Sequence, residues 1–370
     1  MKIGIDARLY TQTGVGRYIR NLIQELSKLD SENQYIVYLR NKEFVNFSPP
    51  NAHWSKKHLD VPWHTIREQL AVSYLLAKDR LDIVHFPYFN IPILYPGKFV
   101  VTVHDLIVDH FDTGRASTLP SVLYKLKRIG YHITHQIGLK KACAIAVISE
   151  TTKQEVETHY DIVANKMIVT YDALDSNFNK VVALKAKRKI RYSFAYILCV
   201  GNAYPHKNVE GLLHAFVRIR KKHDVKLVLA GDDGFFYPRL KNTAHKLGID
   251  NDVVFFGNAN DTDLVDLYSY AKCLVFPSYM EGFGLPNLEA LACGCLPVVS
   301  KIPVFEEIWG DLLPSFDPYN INDMVSVISD VIILPKHRYR DRVLKAARRI
   351  HDFSWRITAE KTLAMYETAG

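Results

Sequence analysis

The sequence has no long apolar run and few cysteines, and each of these features excludes some classes of protein. Its longest apolar runs, such as CAIAVI from Cys143, fall far short of the roughly 20 residues that a helix needs to cross a bilayer. The opening MKIGIDARLY places Asp6 and Arg8 where a signal peptide would have its apolar core, so we expect a protein that is not exported. The five cysteines have no paired spacing, and four of them lie in apolar segments, which predicts small buried core residues in a reducing compartment.

A metal-binding pattern and a basic tail are also missing. Cys293-Gly-Cys295 has no neighbouring His or third Cys to complete a ligand set, so we expect no metal. The formal net charge is +8, and the two halves of the chain share it evenly, which makes nucleic-acid binding a weak interpretation. An anionic small molecule or an anionic membrane surface accounts for the charge equally well.

The composition and the order of segments predict two folded domains. With 370 residues, of which 48% are hydrophobic and 23% charged, the chain is long enough for two cores. Short β-rich runs alternate with amphipathic segments, a pattern typical of α/β proteins with parallel sheets and crossover helices. The predicted strands are residues 2–7, 35–39, 83–86, 99–105 and 144–149 in the first half, and 196–201, 226–231, 253–257, 273–278 and 296–300 in the second.

The domain junction is predicted in the basic stretch 179–193, which has no clear buried face. We therefore expect two Rossmann-like domains, residues 1–180 and 181–352, whose parallel sheets face each other across a cleft. An amphipathic helix is predicted to follow over residues 353–370.

The strongest chemical signal is the stretch CLVFPSYMEGFGLPNLEALACGCLPVVS, residues 273–300, which reads as strand, glycine-rich loop, helix and strand. Gly282 and Gly284 let the backbone approach a ligand closely, and the start of the following helix favours an anion. Glu281 precedes this helix and Glu289 lies within it, so the two carboxylates can contact different parts of one ligand. A structural loop with solvated glutamates is an equally common reading of such a pattern taken alone.

Two further loops follow predicted strands. In GNAYPHKN, residues 201–208, Lys207 lies at the carboxyl end of a strand and beside a helix start, where a lysine can neutralise phosphate. Seen in isolation, such a lysine is more often simply solvated. The loop TGVGRY supplies Gly14 and Gly16 after the first strand, which is weak evidence by itself.

Two histidines end predicted strands, His85 in DIVHF and His104 in VTVHDL. A histidine at a strand end is usually structural or solvated, and this is our interpretation of His85. Asp105 is expected to fix the loop or the His104 ring and not to act as a base.

Taken together, these stretches resemble the retaining glycosyltransferases of family 4, which have the GT-B fold. EGFGLPNLE resembles the family's E-x7-E signature, VGNAYPHKN its phosphate-lysine loop and IGIDARLYTQTGVGRYIRNL its N-terminal glycine loop. VVTVHDL resembles the strand that carries the family's active-site histidine, which favours a functional role for His104. The resemblance covers nearly the whole chain, and the GIDAR opening together with TVHDL is similar to the mannosyltransferase-like branch.

The resemblance implies a role for each matching residue. Glu281 is expected to contact the donor sugar, Lys207 to stabilise the leaving diphosphate, and His104 to lie near the donor sugar and the acceptor. Glu289 is expected to bind the ribose of the nucleotide. The other donor-binding positions that it implies are Gly14, Gly16, Asn202, Gly282, Phe283, Gly284 and Leu285. Asn202 is a departure, because many relatives carry an arginine at this position.

The function implied by the resemblance is metal-independent, retaining transfer of a hexose, with mannose as the first choice. The donor would be a nucleotide diphosphate sugar of the GDP or UDP type, with no further cofactor, and the acceptor a glycan or a lipid-linked glycan in polysaccharide biosynthesis. The helix at 353–370 would cross back to pack on the N-terminal domain. The alternatives are a nucleotide-sugar epimerase on a GT-B scaffold and a non-catalytic nucleotide-sugar sensor.

The segment 119–141 mixes basic and apolar residues. A basic amphipathic helix of this kind can lie on an anionic membrane surface, although a solvated helix face explains it equally well. The lipid-linked acceptors of similar enzymes favour a cytoplasmic protein that is peripheral on the inner face of the membrane. The basic residues concerned are Lys125, Lys127, Arg128, His132 and Lys140.

Overall fold

The computed structural model describes every residue except 13, 64, 90, 112–120, 185–187 and 232–233, and describes only the backbone of 121–127. Its contacts divide the chain into two compact units. The first comprises Met1–Asp109, Thr118–Asp172 and Ser354–Gly370, and the second comprises His110–Ser117 and Ala173–Phe353.

The first unit contains a parallel sheet with helices in the connections between its strands. The elements up to residue 169 are, in chain order, β1 (Lys2–Asp6), α1 (Gly14–Leu29), β2 (Gln34–Leu39), α2 (Asn41–Asn46), β3 (Trp54–His58), α3 (Ile66–Lys78), β4 (Ile83–Phe86), β5 (Phe99–Val103), α4 (Ile107–His110), α5 (Ser121–Lys141), β6 (Ala144–Val147), α6 (Glu150–Tyr160) and β7 (Met167–Val169). The seven strands have the order β3-β2-β1-β4-β5-β6-β7.

Burial of both sheet faces explains why the central strands are almost wholly apolar. All five residues of β5, FVVTV, are buried, as expected for a parallel strand that is covered on both sides. One apolar stripe of helix α1 is buried, because its apolar residues recur at helical spacing. The buried apolar residues of α1 are Tyr18, Ile19, Leu22, Ile23 and Leu26.

The second unit contains its own parallel sheet. Its elements are α7 (Ser176–Leu184), β8 (Tyr196–Val200), α8 (Val209–Ile219), β9 (Lys226–Ala230), α9 (Phe236–Lys246), β10 (Val253–Gly257), α10 (Asp261–Tyr270), β11 (Leu274–Phe276), α11 (Leu285–Ala292), β12 (Pro297–Ser300), α12 (Pro303–Trp309), β13 (Ser315–Phe316), α13 (Ile321–Ile332) and α14 (Lys336–Arg348). The strand order is β10-β9-β8-β11-β12-β13.

Both sheets are therefore doubly wound. Starting from the first strand of each sheet, the chain adds strands on one side and then returns to add strands on the other side. The reversal lies between β1 and β4 in the first unit and between β8 and β11 in the second. In such sheets ligands bind outside the carboxyl ends of the strands at this switch point.

The change from one unit to the other falls earlier than the sequence suggested. The sequence predicts a junction between residues 180 and 181, within the stretch 179–193. The structure divides the two units between Asp172 and Ala173. The reason is α7, whose Phe178 is fully buried in the core of the second unit, 6.4 Å from the ring of Tyr268. Arg191 also pairs with Asp266 of α10 at 3.2 Å, so the basic stretch has partners in this unit.

The last helix, α15 (Trp355–Ala369), belongs to the first unit. The Tyr366 hydroxyl lies 2.6 Å from Nδ1 of His85, whose Nε2 lies 2.7 Å from Oγ1 of Thr102. Thr358 donates to the carbonyl of Tyr171 at 2.5 Å. His85 is completely buried and links the sheet to α15, which agrees with its structural interpretation.

Candidate active site

The central feature of the second unit is an ion pair between Lys207 and Glu281 at the switch point of the sheet. Lys207 lies in the loop after β8, and Glu281 lies in the loop after β11. The Tyr279 N–H donates to the carbonyl of His206 at 2.7 Å, and this bond holds the two loops together. As a result Nζ of Lys207 lies 2.6 Å from Oε1 of Glu281, with side chains only 19% and 8% exposed.

The start of α11 is shaped by one obligatory glycine. Gly284 caps the helix with φ of 93°, in the left-handed region. A Cβ at this position would lie 2.6 Å from the ring of Phe305, so a larger residue would need the loop to move. Pro286 suits the first turn, where its missing N–H removes no intrahelical hydrogen bond. The first N–H groups of a helix lack intrahelical acceptors and favour an anion.

The other positions of this loop differ in what they can offer to a ligand. Gly282 and Phe283 are buried and Leu285 is half-buried. The ring of Phe283 packs edge-on against Phe353, with centroids 5.2 Å apart. Its side chain is therefore committed to the core, and only the backbone of Phe283 is suited to a ligand contact.

The second glutamate of the motif is held in a different way. Glu289 lies in α11 and is 5% exposed. Its Oε2 accepts a hydrogen bond from the hydroxyl of Tyr268 in α10 at 3.1 Å. The motif thus presents one carboxylate paired with a lysine and one oriented by a buried tyrosine.

Several buried polar atoms in these loops and in the first turn of α11 have no hydrogen-bond partner in the described part of the chain. They are Oδ1 of Asn202, Nδ1 of His206, Oγ of Ser278, and both Oδ1 and Nδ2 of Asn287. A buried polar atom without a partner costs on the order of 1–3 kcal/mol, so such atoms mark a place where a polar ligand would be stabilising. The sequence singled out Asn202 but missed the other three, although all three lie within or beside its motifs.

His206 directly precedes Lys207, and the charges of both Lys207 and Glu281 act on its imidazole. Burial, reinforced by the neighbouring Lys207 charge, lowers the pKa of His206 to about 4. The imidazole is therefore neutral at physiological pH and adds no positive charge beside Lys207.

Gly14 and Gly16 lie at the start of α1 in the first unit and differ in their surroundings. A Cβ on Gly16 would lie 2.6 Å from the carbonyl oxygen of Tyr10 and 2.9 Å from that of Leu9, so packing requires a glycine there. A Cβ on Gly14 would meet no described atom within 4 Å, so packing does not require a glycine at that position.

His104 follows β5 in the first unit and is 6% exposed. Its Nε2 lies 2.9 Å from the carbonyl oxygen of Pro87, which fixes Nε2 as the protonated nitrogen of the neutral ring and leaves Nδ1 as an acceptor. Burial lowers the pKa of His104 to about 4. Asp105 accepts the N–H of Ile107 at 2.9 Å and thereby fixes the loop, as expected from the sequence.

A small cavity lies at the switch point of the first sheet. It is lined by residues at the ends of β1 and β4 and by Ile19 of α1. Beside it the fully buried Arg8 pairs with Asp6 at 2.6 Å and with Glu68 at 2.7 Å, an arrangement that the sequence did not reveal. The residues that line the cavity are Asp6, Leu9, Ile19, Phe86, Pro87 and Tyr88.

Family models match both halves of the chain. The model described as Glycosyltransferase Family 4 matches residues 12–178, and the model of Glycosyl transferases group 1 matches residues 183–349. Together they cover about nine-tenths of the sequence. The chain belongs to the family 4 glycosyltransferases.

Individual relatives of this glycosyltransferase include proteins named as mannosyltransferases. The serotype-specific mannosyltransferase WbdA of Escherichia coli is 29% identical over 307 residues, which cover 78% of this chain and 35% of WbdA. This chain thus spans about a third of the length of WbdA. The O-antigen chain mannosyltransferase B of Escherichia coli is 26% identical, with 97% of each chain covered.

Solved structures support the GT-B fold of this glycosyltransferase. WaaG, a glycosyltransferase of lipopolysaccharide biosynthesis, superposes with a TM-score of 0.72 at 17% identity, and all of both chains is covered. Anabaena HepE in complex with UDP and glucose gives a TM-score of 0.74 at 15% identity, again over 100% of both chains. The two parallel sheets confirm the α/β class predicted from the sequence.

Proposed function

We propose that this family 4 glycosyltransferase is a metal-independent, retaining hexosyltransferase that acts on a nucleotide diphosphate sugar. The observation that carries the proposal is the Lys207–Glu281 ion pair at the switch point of the second sheet, with Nζ and Oε1 2.6 Å apart. Unpartnered buried polar atoms in the same loops support a polar ligand there. The acceptor is a glycan or a lipid-linked glycan.

Mannose, carried by GDP, is the donor sugar that we favour. Relatives named as mannosyltransferases match most or all of the chain at 26–29% identity. The HepE structures contain UDP, UDP-glucose or UDP and glucose, which makes a uridine nucleotide the alternative donor. The base and the sugar of the donor should therefore be identified first.

The proposed chemistry begins with cleavage of the bond between the anomeric carbon and the diphosphate. The bonding electron pair leaves with the diphosphate, so negative charge grows on its distal phosphate while the sugar ring becomes cationic. The Lys207 ammonium and the N–H groups at the start of α11 stabilise that negative charge. Because the ammonium supplies the compensating charge, this step requires no divalent ion.

The acceptor hydroxyl then attacks the face of the sugar from which the diphosphate departs. Its oxygen forms the new bond to the anomeric carbon, and its proton passes to an oxygen of the leaving phosphate. The configuration is thereby retained. Glu281 orients the donor sugar and offsets its positive charge, and it forms no covalent bond.

In this scheme Glu289 and His104 form hydrogen bonds to the substrates and do not transfer protons. The Glu289 carboxylate, oriented by the Tyr268 hydroxyl, accepts hydrogen bonds from the ribose hydroxyls. Nδ1 of His104 is the nitrogen that Pro87 leaves available, so it accepts a hydrogen bond from a sugar hydroxyl. Its pKa of about 4 keeps the ring neutral and able to accept throughout the physiological range.

We further propose that the enzyme is cytoplasmic and peripheral to the membrane. No helix in the described part of the chain is both long enough and apolar enough to cross a bilayer. Helix α5 exposes one apolar stripe with helical spacing, formed by Ile129, Ile133 and Ile137 at 58%, 47% and 38% exposure. Exposed Lys140 lies at the end of the same helix, a composition suited to an anionic interface.

Helix α3 of the first unit has a second exposed apolar stripe. Gln69 of α3 and Lys141 of α5 both donate to the backbone of the segment 91–93, at 3.1 Å and 2.8 Å, so the two helices flank this segment. Leu94, the next residue, is 55% exposed. The large exposed apolar residues of α3 are Ile66, Leu70, Tyr74 and Leu75, of which the first three recur at helical spacing.

The basic residues assigned to this surface from the sequence contribute unequally. Arg128 donates to the carbonyl oxygen of Asp109 at 3.1 Å and is half-buried, so part of its hydrogen-bonding capacity is used inside the fold. The side chains of Lys125 and Lys127 lie outside the described residues.

A panel of nucleotide sugars tests the proposed donor. We expect GDP-mannose to raise the thermal midpoint of the protein more than UDP-glucose or UDP-galactose, and to be hydrolysed slowly without an acceptor. The Lys207→Ala variant should lose this stabilisation. Stabilisation without any turnover would indicate a sensor, and an epimerised donor sugar would indicate an epimerase.

A further inference from the structure

A cluster of potential metal ligands lies in the first unit, on the helices α4, α5 and α6. Asp109 of α4, His132 of α5 and His159 of α6 each offer one ligand atom, and these three atoms all lie within 4.8 Å of one another. We propose that Asp109, His132 and His159 bind a divalent transition-metal ion such as Zn²⁺.

The donor set selects the class of metal. Two imidazole nitrogens and one carboxylate oxygen suit Zn²⁺, Ni²⁺, Co²⁺ or Cu²⁺, whereas Mg²⁺ and Ca²⁺ prefer sites made of oxygen ligands. Three protein ligands leave the fourth position of a tetrahedral ion open to water.

The present geometry is close to a chelating one. Nδ1 of His132 lies 3.6 Å from Oδ1 of Asp109. Ligand atoms about 2.0–2.1 Å from a tetrahedral ion are about 3.3–3.4 Å from each other, so this pair needs little movement. His159 is exposed, the side chain of His132 is 46% exposed, and the centroids of the two rings are 5.4 Å apart, so both imidazoles lie together at the surface.

The carboxylate is already oriented for this task. Asp109 has a side chain only 5% exposed, and its Oδ2 accepts a hydrogen bond from the hydroxyl of Tyr160 at 2.7 Å. Oδ1, the oxygen that faces His132, remains available as the ligand. Outer hydrogen bonds of this kind fix metal-binding carboxylates and strengthen binding.

The ion would connect three helices that are consecutive along the chain. Since α4, α5 and α6 each supply one ligand, binding should stabilise the carboxyl-end side of the first sheet, where the loop after β5 also carries His104. The sequence did not indicate this set, because its members are spread over some fifty residues, and the only spacing considered for a metal was Cys293-Gly-Cys295. The proposed site differs from the sequence-based expectation of no metal, and binding experiments decide between the two.

Direct binding to the full chain, purified without a polyhistidine tag, tests the proposal. We expect one equivalent of Zn²⁺ in competition with a chromophoric chelator, a tetrahedral absorption spectrum with Co²⁺, and a higher thermal midpoint in the presence of Zn²⁺. His132→Ala, His159→Ala and Asp109→Asn should each weaken binding at least tenfold. Tyr160→Phe should weaken it by about tenfold or more through loss of the outer hydrogen bond.

His53→Ala is the matched control, because His53 is an exposed histidine of the same unit and lies outside the cluster. It should bind Zn²⁺ as the unmodified protein does. The His159→Ala variant tests the proposal even if Asp109→Asn folds poorly, because it leaves the hydrogen bond between Tyr160 and Asp109 in place. No Zn²⁺ binding by the unmodified protein, or equal binding by His159→Ala and His53→Ala, would overturn the proposal.

Discussion

Lys207 and Glu281 join two loops that are far apart in sequence, with Nζ 2.6 Å from Oε1 at the carboxyl ends of β8 and β11. A pair this close restricts the positions of both side chains in the absence of a ligand. Donor binding would add phosphate oxygens to the Lys207 environment while Glu281 turns to the sugar. The ion pair therefore keeps both groups oriented before the substrate arrives, which lowers the cost of organising the site.

Loss of either member of this pair should impair transfer strongly. We expect Lys207→Ala and Glu281→Gln each to lower kcat/KM by at least about a hundredfold, because both remove electrostatic contacts that are strongest in the transition state. Initial rates with the preferred donor measure the effect, and circular dichroism verifies the fold. Lys221→Ala, at an exposed lysine of the same unit, should leave the rate unchanged. Normal turnover by a correctly folded Lys207→Ala variant would show that Lys207 does not stabilise the leaving diphosphate.

Glu289 should act on donor binding more than on turnover. A ribose contact is present in ground state and transition state alike, so Glu289→Ala should raise the donor KM while kcat changes little. Tyr268→Phe removes the hydrogen bond that orients Glu289, worth about 1 kcal/mol, and should raise the donor KM by about fivefold.

Tyr196→Phe is the control for Tyr268→Phe, since the Tyr196 hydroxyl also donates inside the same unit but to the carbonyl of Leu267. It should reduce stability by a similar amount and leave the donor KM unchanged. A large fall in kcat at constant donor KM for Glu289→Ala would mean that the roles of the two glutamates are reversed.

Much of the fold was predictable because both sheets are built from buried apolar strands. All ten predicted strands are present, with ends shifted by at most a few residues. The three strands that were missed, β3, β7 and β13, all lie at sheet edges. β3 has the sequence WSKKH with one buried residue, and β7 and β13 have three and two residues, so none produces an apolar run that stands out.

The site was predictable where its residues fall within contiguous motifs and not where the fold assembles them. Lys207 and Glu281 each follow a recognisable strand, so the sequence could place both at one sheet edge. The Tyr268 partner of Glu289 comes from a neighbouring helix and has no motif of its own. The same is true of Glu68, which reaches Arg8 only through the packing of α3.

The buried carboxyl group of Asp172 should make stability depend on pH. Burial raises its pKa to about 7, above the value of about 3.9 in an unfolded chain, so its favourable contribution is complete below about pH 4 and is lost as pH rises through about 7. Asparagine has no ionisable carboxyl group, so the Asp172→Asn variant does not lose this contribution to stability as pH rises. The free energy of unfolding of Asp172→Asn relative to the unmodified protein should therefore increase with pH, by up to about 1.4 kcal/mol per unit between about pH 4 and 7.

Urea unfolding at several pH values, followed by circular dichroism, measures this difference. His85 and His104 have pKa values lowered by burial to about 3 and 4, so they favour folding at higher pH, but both proteins contain them and their effect cancels in the comparison. Asp224→Asn, at an exposed carboxylate, should show no such trend. A pH-independent difference for Asp172→Asn would show that folding does not raise the pKa of Asp172.

Chelation should not abolish transfer. Lys207 and the start of α11 supply the positive charge for the leaving diphosphate, so we expect the initial rate to change by less than about twofold after treatment with EDTA. The thermal midpoint is a separate readout, because removal of an ion from the Asp109, His132 and His159 cluster would lower it without affecting the donor site. An obligatory requirement for Mn²⁺ or Mg²⁺ after chelation would contradict the proposed chemistry of the donor site.

The apolar stripe on α5 should bind membranes that contain anionic lipid. Ile129 and Ile133 are 58% and 47% exposed, and burying such side chains in the interface adds to the attraction between nearby lysines and anionic headgroups. Replacing both isoleucines by Gln should lower the vesicle-bound fraction severalfold at constant donor affinity, whereas Leu344→Gln, at a leucine 54% exposed in the second unit, should not. Co-sedimentation with neutral and anionic vesicles measures binding, and rising salt should release the protein because the Debye length falls from about 10 Å at 0.1 M to about 3 Å at 1 M. Equal, salt-insensitive sedimentation with both kinds of vesicle would mean that α5 is an ordinary solvated helix and that the acceptor is met in solution.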